Sequence, residues 1–107
     1  MRNVTVAAIQ MSVPETPERS IEKAEKLVRQ AAAVGANVIL LPELFENWYF
    51  CQERRYDSYK LALPVDENPA VRRFRQVAAE LGVELPVSFY EQDGNVLYNS
   101  VAMIDAD

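Results

Sequence analysis

The chain has 107 residues, half of them hydrophobic, with a formal net charge of −5, no histidine and a single cysteine. That length suits one small domain or part of a larger one. The missing histidine excludes Ser-His-Asp and Cys-His catalysis and imidazole zinc sites, the lone Cys51 excludes an internal disulfide, and an acidic balance without a Lys/Arg cluster argues against nucleic acid as a partner.

An acidic protein suits a small cationic ligand, although a negative surface by itself is simply a solvated one. Three glycines, six prolines and no low-complexity stretch argue against disorder. The N-terminus, MRNVTVAAIQM, is interrupted by Asn3, Thr5 and Gln10, unlike a signal peptide, and no apolar run is long enough to span a bilayer. A single cysteine is compatible with a reducing compartment, so the expected location is cytoplasmic with no membrane partner.

Val4 to Met11 is short, rich in β-branched residues and apolar at both alternating sets of positions, the pattern of a strand buried on both sides. VPETPERS follows as punctuation, with Thr16 as N-cap and Pro17 at the first helical position, where its missing N–H costs nothing. Ile21, Ala24, Leu27, Val28, Ala31 and Ala32 then recur along one helical stripe. On the other side Glu22–Lys26 and Glu25–Arg29 have i,i+4 spacing. Gly35 ends the helix as a left-handed cap residue.

Asn37 to Pro42 reads as a second apolar strand. Strand, helix and strand within about 40 residues form a βαβ unit with a parallel pair. Residues 44 to 67 hold Phe45, Trp48, Tyr49, Phe50, Tyr56 and Tyr59 without clean periodicity, the pattern of a long loop with a helical turn; loops of that length are usually functional. Asn68 and Pro69 repeat the cap-then-proline signature and open a second helix with Val71, Phe74, Val77, Ala78 and Leu81 on its stripe and Gly82 at its end. Glu84 to Glu91 is a third strand, Asp93-Gly94-Asn95 a tight turn, and Val96 to Ile104 a fourth strand antiparallel to the third. The expected architecture is α/β: βαβ, helix, then a β-hairpin in a mixed sheet. No further helix covers the hairpin, so its last strand presents an open edge and one sheet face is bare.

Glu43 follows the run Val38-Ile39-Leu40-Leu41-Pro42, where ligands bind in open α/β sheets, beyond the carboxyl end of a strand. It is either a working carboxylate or a surface residue capping the loop or paired with Arg54 or Arg55; the residues leave both readings open. Cys51 lies among Tyr49 and Phe50, where a cysteine usually serves as a small hydrophobe, and a packing role is expected. The loop aromatics are core by default, though some could line an apolar pocket over Glu43.

VAAIQM, IEKAEKLVRQAAAVGA, VILLPELF and LYNSVAMIDAD together resemble the N-terminal portion of the nitrilase (carbon–nitrogen hydrolase) superfamily, in the family's order and spacing. A narrower resemblance, to the N-carbamoylputrescine amidases within it, rests on ELFENWYFCQ, LALPVDENPAVRRF and LPVSFYEQDGNVLYNS. The resemblance implies a four-layer αββα sandwich, of which residues 1–107 would be the N-terminal part of a single domain, incomplete at its C-terminus. It implies hydrolysis of N-carbamoylputrescine to putrescine, ammonia and carbon dioxide, a cationic carbamoyl substrate, a homo-oligomer, and no metal or cofactor.

Of the family's catalytic glutamate, lysine and cysteine, only the first transfers. Glu43 in LLPELF matches the general base, a role that wants a carboxylate held at a strand end. Cys51 matches a cysteine of the YFCQ loop, not the nucleophile, and Lys60 does not match the family's lysine; both partners would fall beyond Asp107. The chain alone is therefore expected to be inactive. The resemblance places Tyr49 at the pocket mouth, in reach of the diamine; Glu46 nearby is an acidic neighbour that could favour an ammonium group, but it is expected to face solvent. The competing readings are a non-catalytic remnant acting as a binding or assembly module, and an amidase of different carbamoyl or amide specificity. A stand-alone nucleotide-binding domain is disfavoured because VPETP stands where a Gly-rich phosphate loop would follow the first strand.

Overall fold

The computed structural model describes residues 2–52 and 56–107. Both helices start where the cap-then-proline signatures stand. In α1, Pro17–Ala33, the Thr16 hydroxyl accepts from the Arg19 N–H at 3.3 Å. In α2, Pro69–Leu81, the Asn68 carbonyl oxygen accepts from the Val71 N–H at 2.9 Å, and Gly82 closes the helix at φ 67°. Each cap satisfies one orphan donor of the first turn and sets the chain's entry angle.

Strands β1 (Val6–Ala8) and β2 (Val38–Leu40) pair in parallel, with Val6 opposite Val38 and Ala8 opposite Leu40. Strands β3 (Leu85–Asp93) and β4 (Val96–Ile104) form an antiparallel hairpin closed at Gly94, whose φ is 61°. A parallel bridge between Val38 and Glu84 joins the two ladders; the Glu84 N–H donates to Asn37 at 2.9 Å and Ile39 donates back to Glu84 at 3.0 Å. The order across the mixed sheet is therefore β1, β2, β3, β4. Further along β3, Leu63 from the loop before α2 makes a second parallel bridge, to Glu91.

Both helices lie on one face of this sheet. Ala24 and Val28 of α1 and Val71, Phe74, Val77 and Ala78 of α2 are buried with Ile39, Leu85, Val87 and Phe89 of the strands. Phe45 enters this core from the loop after β2 and meets Phe74 edge-to-face at 5.8 Å. Such a pair adds roughly 0.5–1.5 kcal/mol beyond the area it buries.

The first strand departs from the sequence expectation. It is not buried on both sides: Val6 is 72% exposed and Leu40, on the same face, 50%. The pairing register places Val101 and Met103 of β4 on that face too, at 60% and 66%. Period-2 alternation puts half of each strand on the face the helices do not reach. The regular ladder of β1 is also shorter than the apolar run, because it is limited to the residues that pair with β2.

Candidate active site

Glu43 stands where β2 runs out. Leu41 is buried, and Pro42 has no N–H to continue a ladder. The chain then turns through Leu44, the one non-glycine residue with positive φ (50°) among the described residues. A leucine in the left-handed region costs roughly 1–2 kcal/mol. Something must hold it there, and part of the hold is visible: the Leu44 N–H donates to the Ser88 hydroxyl on β3 at 3.0 Å, in a buried bond.

This turn leaves the Glu43 side chain exposed, with its Oε1 accepting a 2.6 Å hydrogen bond from Asn99 Nδ2 on β4. The register places Asn99 on the same sheet face as Ser88, the face without helices. One carboxylate oxygen is thus held by an amide donor, an arrangement suited to a carboxylate that takes a proton on its other oxygen. Sequence reasoning missed Asn99. The available signal was an asparagine inside the apolar run VLYNSVAMI, since Asn is depleted in strands without a polar role. The alternative partners for Glu43, Arg54 and Arg55, lie outside the described residues.

Tyr49 lies close enough to Glu43 for the carboxylate's charge to push its phenol above the usual range, with burial and the neighbouring Cys51 adding to the shift. It is 44% exposed and lines a cleft of about 410 Å³ with Glu15, Trp48, Phe50, Asp57 and Leu61 among its walls. The Trp48 indole N–H closes one end of the loop by donating to the Val13 carbonyl at 3.1 Å. The structure therefore brings Glu43, Tyr49 and Asn99 together.

Cys51 does not pack as expected: it is exposed. It sits in a short 3-10 helix, Phe50–Gln52, in which Phe50 is the inward residue, its ring 4.8 Å from that of Tyr90. Lys60, in the second 3-10 helix, Tyr56–Leu61, is exposed.

Glu46 also departs from expectation. It does not face solvent but is 8% exposed, accepting from Asn68 Nδ2 at 2.8 Å. Burial raises its pKa above the ordinary carboxylate value, and the Asn68 hydrogen bond opposes the rise only in part. The turn at Leu44 swings the chain back over the start of α2, which carries Glu46 inward.

Among the described residues no group of three or more His, Cys, Asp or Glu could hold a metal ion, and no helix is long and apolar enough to cross a membrane.

The sequence model of the carbon–nitrogen hydrolase family matches residues 5–107. An N-carbamoylputrescine amidase of Oryza sativa subsp. japonica is 47% identical over 104 residues, covering 97% of this chain and 35% of that protein. A citrullinase of Francisella tularensis is 42% identical over 107 residues, covering all of this chain and 37% of its own length. The crystal structure of a carbon–nitrogen hydrolase from Helicobacter pylori G27 superimposes with a TM-score of 0.85 at 22% identity, covering 97% of this chain and 36% of that one. The chain thus spans little more than a third of the length of each.

Proposed function

This chain belongs to the carbon–nitrogen hydrolase family, and on that premise we propose that its residues serve the hydrolysis of the ureido C–N bond of N-carbamoylputrescine. Water and N-carbamoylputrescine would give putrescine, ammonia and carbon dioxide, a step of polyamine biosynthesis. The observation that carries this reading is the placement of Glu43: exposed just beyond a parallel strand, with one carboxylate oxygen held by Asn99.

In this reading residues 1–107 form the first part of one hydrolase domain and Glu43 is its general base. Glu43 takes the proton from a nucleophilic thiol and later from the hydrolytic water, splitting one difficult step into two. The family's cysteine and its oxyanion-stabilising lysine have no counterpart motif in these 107 residues, so the chain by itself is expected to be inactive. Tyr49 and the cleft beside it would receive the cationic end of the substrate, with aromatic walls and the Glu15 carboxylate favouring an ammonium group. A cytoplasmic homo-oligomer is the accompanying expectation.

The similarity to a citrullinase supports a second reading, hydrolysis of a different ureido substrate by the same base. The deciding experiment measures ammonia release from N-carbamoylputrescine and from citrulline, using the 107-residue chain and a full-length protein containing it. Activity of the longer protein on N-carbamoylputrescine, abolished by Glu43→Gln and changed less than about threefold by Cys51→Ser, is the expected result. Turnover by the 107 residues alone, lost in Cys51→Ser, would make Cys51 a nucleophile and overturn the assignment. No turnover in either would favour a binding or assembly module.

A further inference from the structure

The turn that presents Glu43 is held by buried polar groups. Leu44, immediately after Glu43, has a φ of 50°, and its N–H is fixed by the hydroxyl of Ser88, a residue 6% exposed. Glu46, three positions after Glu43, is tied to Asn68, itself 3% exposed. Asn68 cannot turn its amide round, because its carbonyl oxygen is already the cap acceptor for Val71. The Asn68 Nδ2 is therefore aimed at Glu46, and the loop is pinned to the start of α2 as well as to β3.

Both anchors act within three residues after Glu43 and come from elements distant in sequence. Neither touches its carboxylate. A polar bond in the interior costs little to keep and much to leave half-made, so the arrangement tolerates few alternative turn geometries. Burying a carboxyl group at Glu46 is itself unfavourable, as its raised pKa shows; an apolar side chain would fill the same space without that penalty. The anchors hold a strained backbone beside an exposed carboxylate, which is where strain is stored in functional sites.

We propose that Ser88 and the Glu46–Asn68 pair are positioning residues for Glu43, holding its carboxylate in the geometry for proton transfer; this rests on the reading of Glu43 as the general base. Loosening the turn would misplace the carboxylate without removing any group that contacts substrate. The effect belongs in kcat rather than in KM.

The test uses the full-length protein containing these residues, with ammonia release from N-carbamoylputrescine and thermal melts as readouts. Ser88→Ala and Glu46→Leu are expected to lower kcat by about ten- to hundredfold with KM changed less than about threefold. Glu46→Gln, which can still accept from Asn68, is expected to keep kcat within about threefold. Wild-type kcat in both Ser88→Ala and Glu46→Leu, with Glu43→Gln inactive, would overturn the positioning role alone. A kcat loss that disappears once rates are normalised to the folded fraction would also overturn it. Wild-type kcat in Glu43→Gln would instead remove the base reading on which the proposal rests. Ser88→Ala deletes a single oxygen and carries the test should Glu46→Leu fail to fold.

Discussion

Asn99 and Glu43 are 56 positions apart in the chain, yet the Asn99 amide donates to the Glu43 carboxylate at 2.6 Å. Glu43 lies in the turn that follows the parallel strand β2, and Asn99 inside the antiparallel hairpin. The contact exists because Glu84, just before β3, bridges to Val38 of β2 while β3 pairs with β4. A hydrogen bond to a charged group contributes about 1.5–3 kcal/mol. Asn99→Ala is therefore expected to lower kcat by roughly ten- to hundredfold, and Asn99→Asp by more, since it sets a second carboxylate against the first. Steady-state kinetics of the full-length protein check this; an Asn99→Ala variant with unchanged kcat would show that Glu43 needs no orienting partner.

Glu46 makes stability depend on pH in the less usual direction. Its folded pKa is raised, chiefly by burial, so on raising the pH the unfolded chain releases this proton before the folded one does. The folded state then holds more protons, and stability falls as the pH climbs from the ordinary carboxylate range through the raised value. Glu46→Gln has no proton to lose. Its melting midpoint should exceed that of the wild type at neutral pH, with the gap closing towards pH 4; a gap constant with pH would mean the carboxyl is not desolvated in solution.

Glu25 behaves oppositely. Arg73 of α2 and Arg29 of α1 both bond its carboxylate, and these bonds hold its pKa below the ordinary value. Arg29 also reaches Glu80 at 2.7 Å, so the pair of helices shares a charge network. The stability this network supplies is present above the unfolded pKa and lost as the pH falls through the lowered one. Glu25→Gln is expected to cost about 1 kcal/mol at pH 7, as for other surface ion pairs. Denaturant titrations should show the difference vanishing below the carboxylate range and shrinking in high salt.

The sheet face opposite the helices carries Val6, Leu40, Val101 and Met103, all at least half exposed. An apolar patch of contiguous strand residues drives association. The 107-residue chain on its own is therefore expected to self-associate with rising concentration in sedimentation velocity. Val101→Thr with Met103→Lys, which keeps strand-compatible shapes but adds polarity, should shift the distribution to smaller species. A wild-type chain that stays monomeric at every concentration and melts cooperatively well above room temperature would count against an open face.

The parts of this fold legible in the sequence are those governed by near neighbours. Thr16-Pro17 and Asn68-Pro69 opened helices where they stand, Gly82 closed one, and Asp93-Gly94-Asn95 turned the hairpin. Each such signal acts within about four residues, through a cap bond or an allowed φ. The same locality made Glu43 legible as a strand-end carboxylate. It also misled: the apolar run around β1 implied two buried faces, and a charged side chain at position 46 implied solvent.

What the sequence by itself determined is the order of elements, their apolar stripes, the family resemblance and the single carboxylate that resemblance marks. What only the tertiary structure decided is which strand faces are covered and what touches the Glu43 turn: Asn99 on its carboxylate, Ser88 on the next N–H, Asn68 on Glu46. The reason is range. Helical stripes and caps repeat over one or two turns of chain, whereas these contacts join residues 22 to 56 positions apart. A sheet's pairing register sets where Asn99 and Ser88 stand, and a slip of one residue would turn Asn99 to the opposite face.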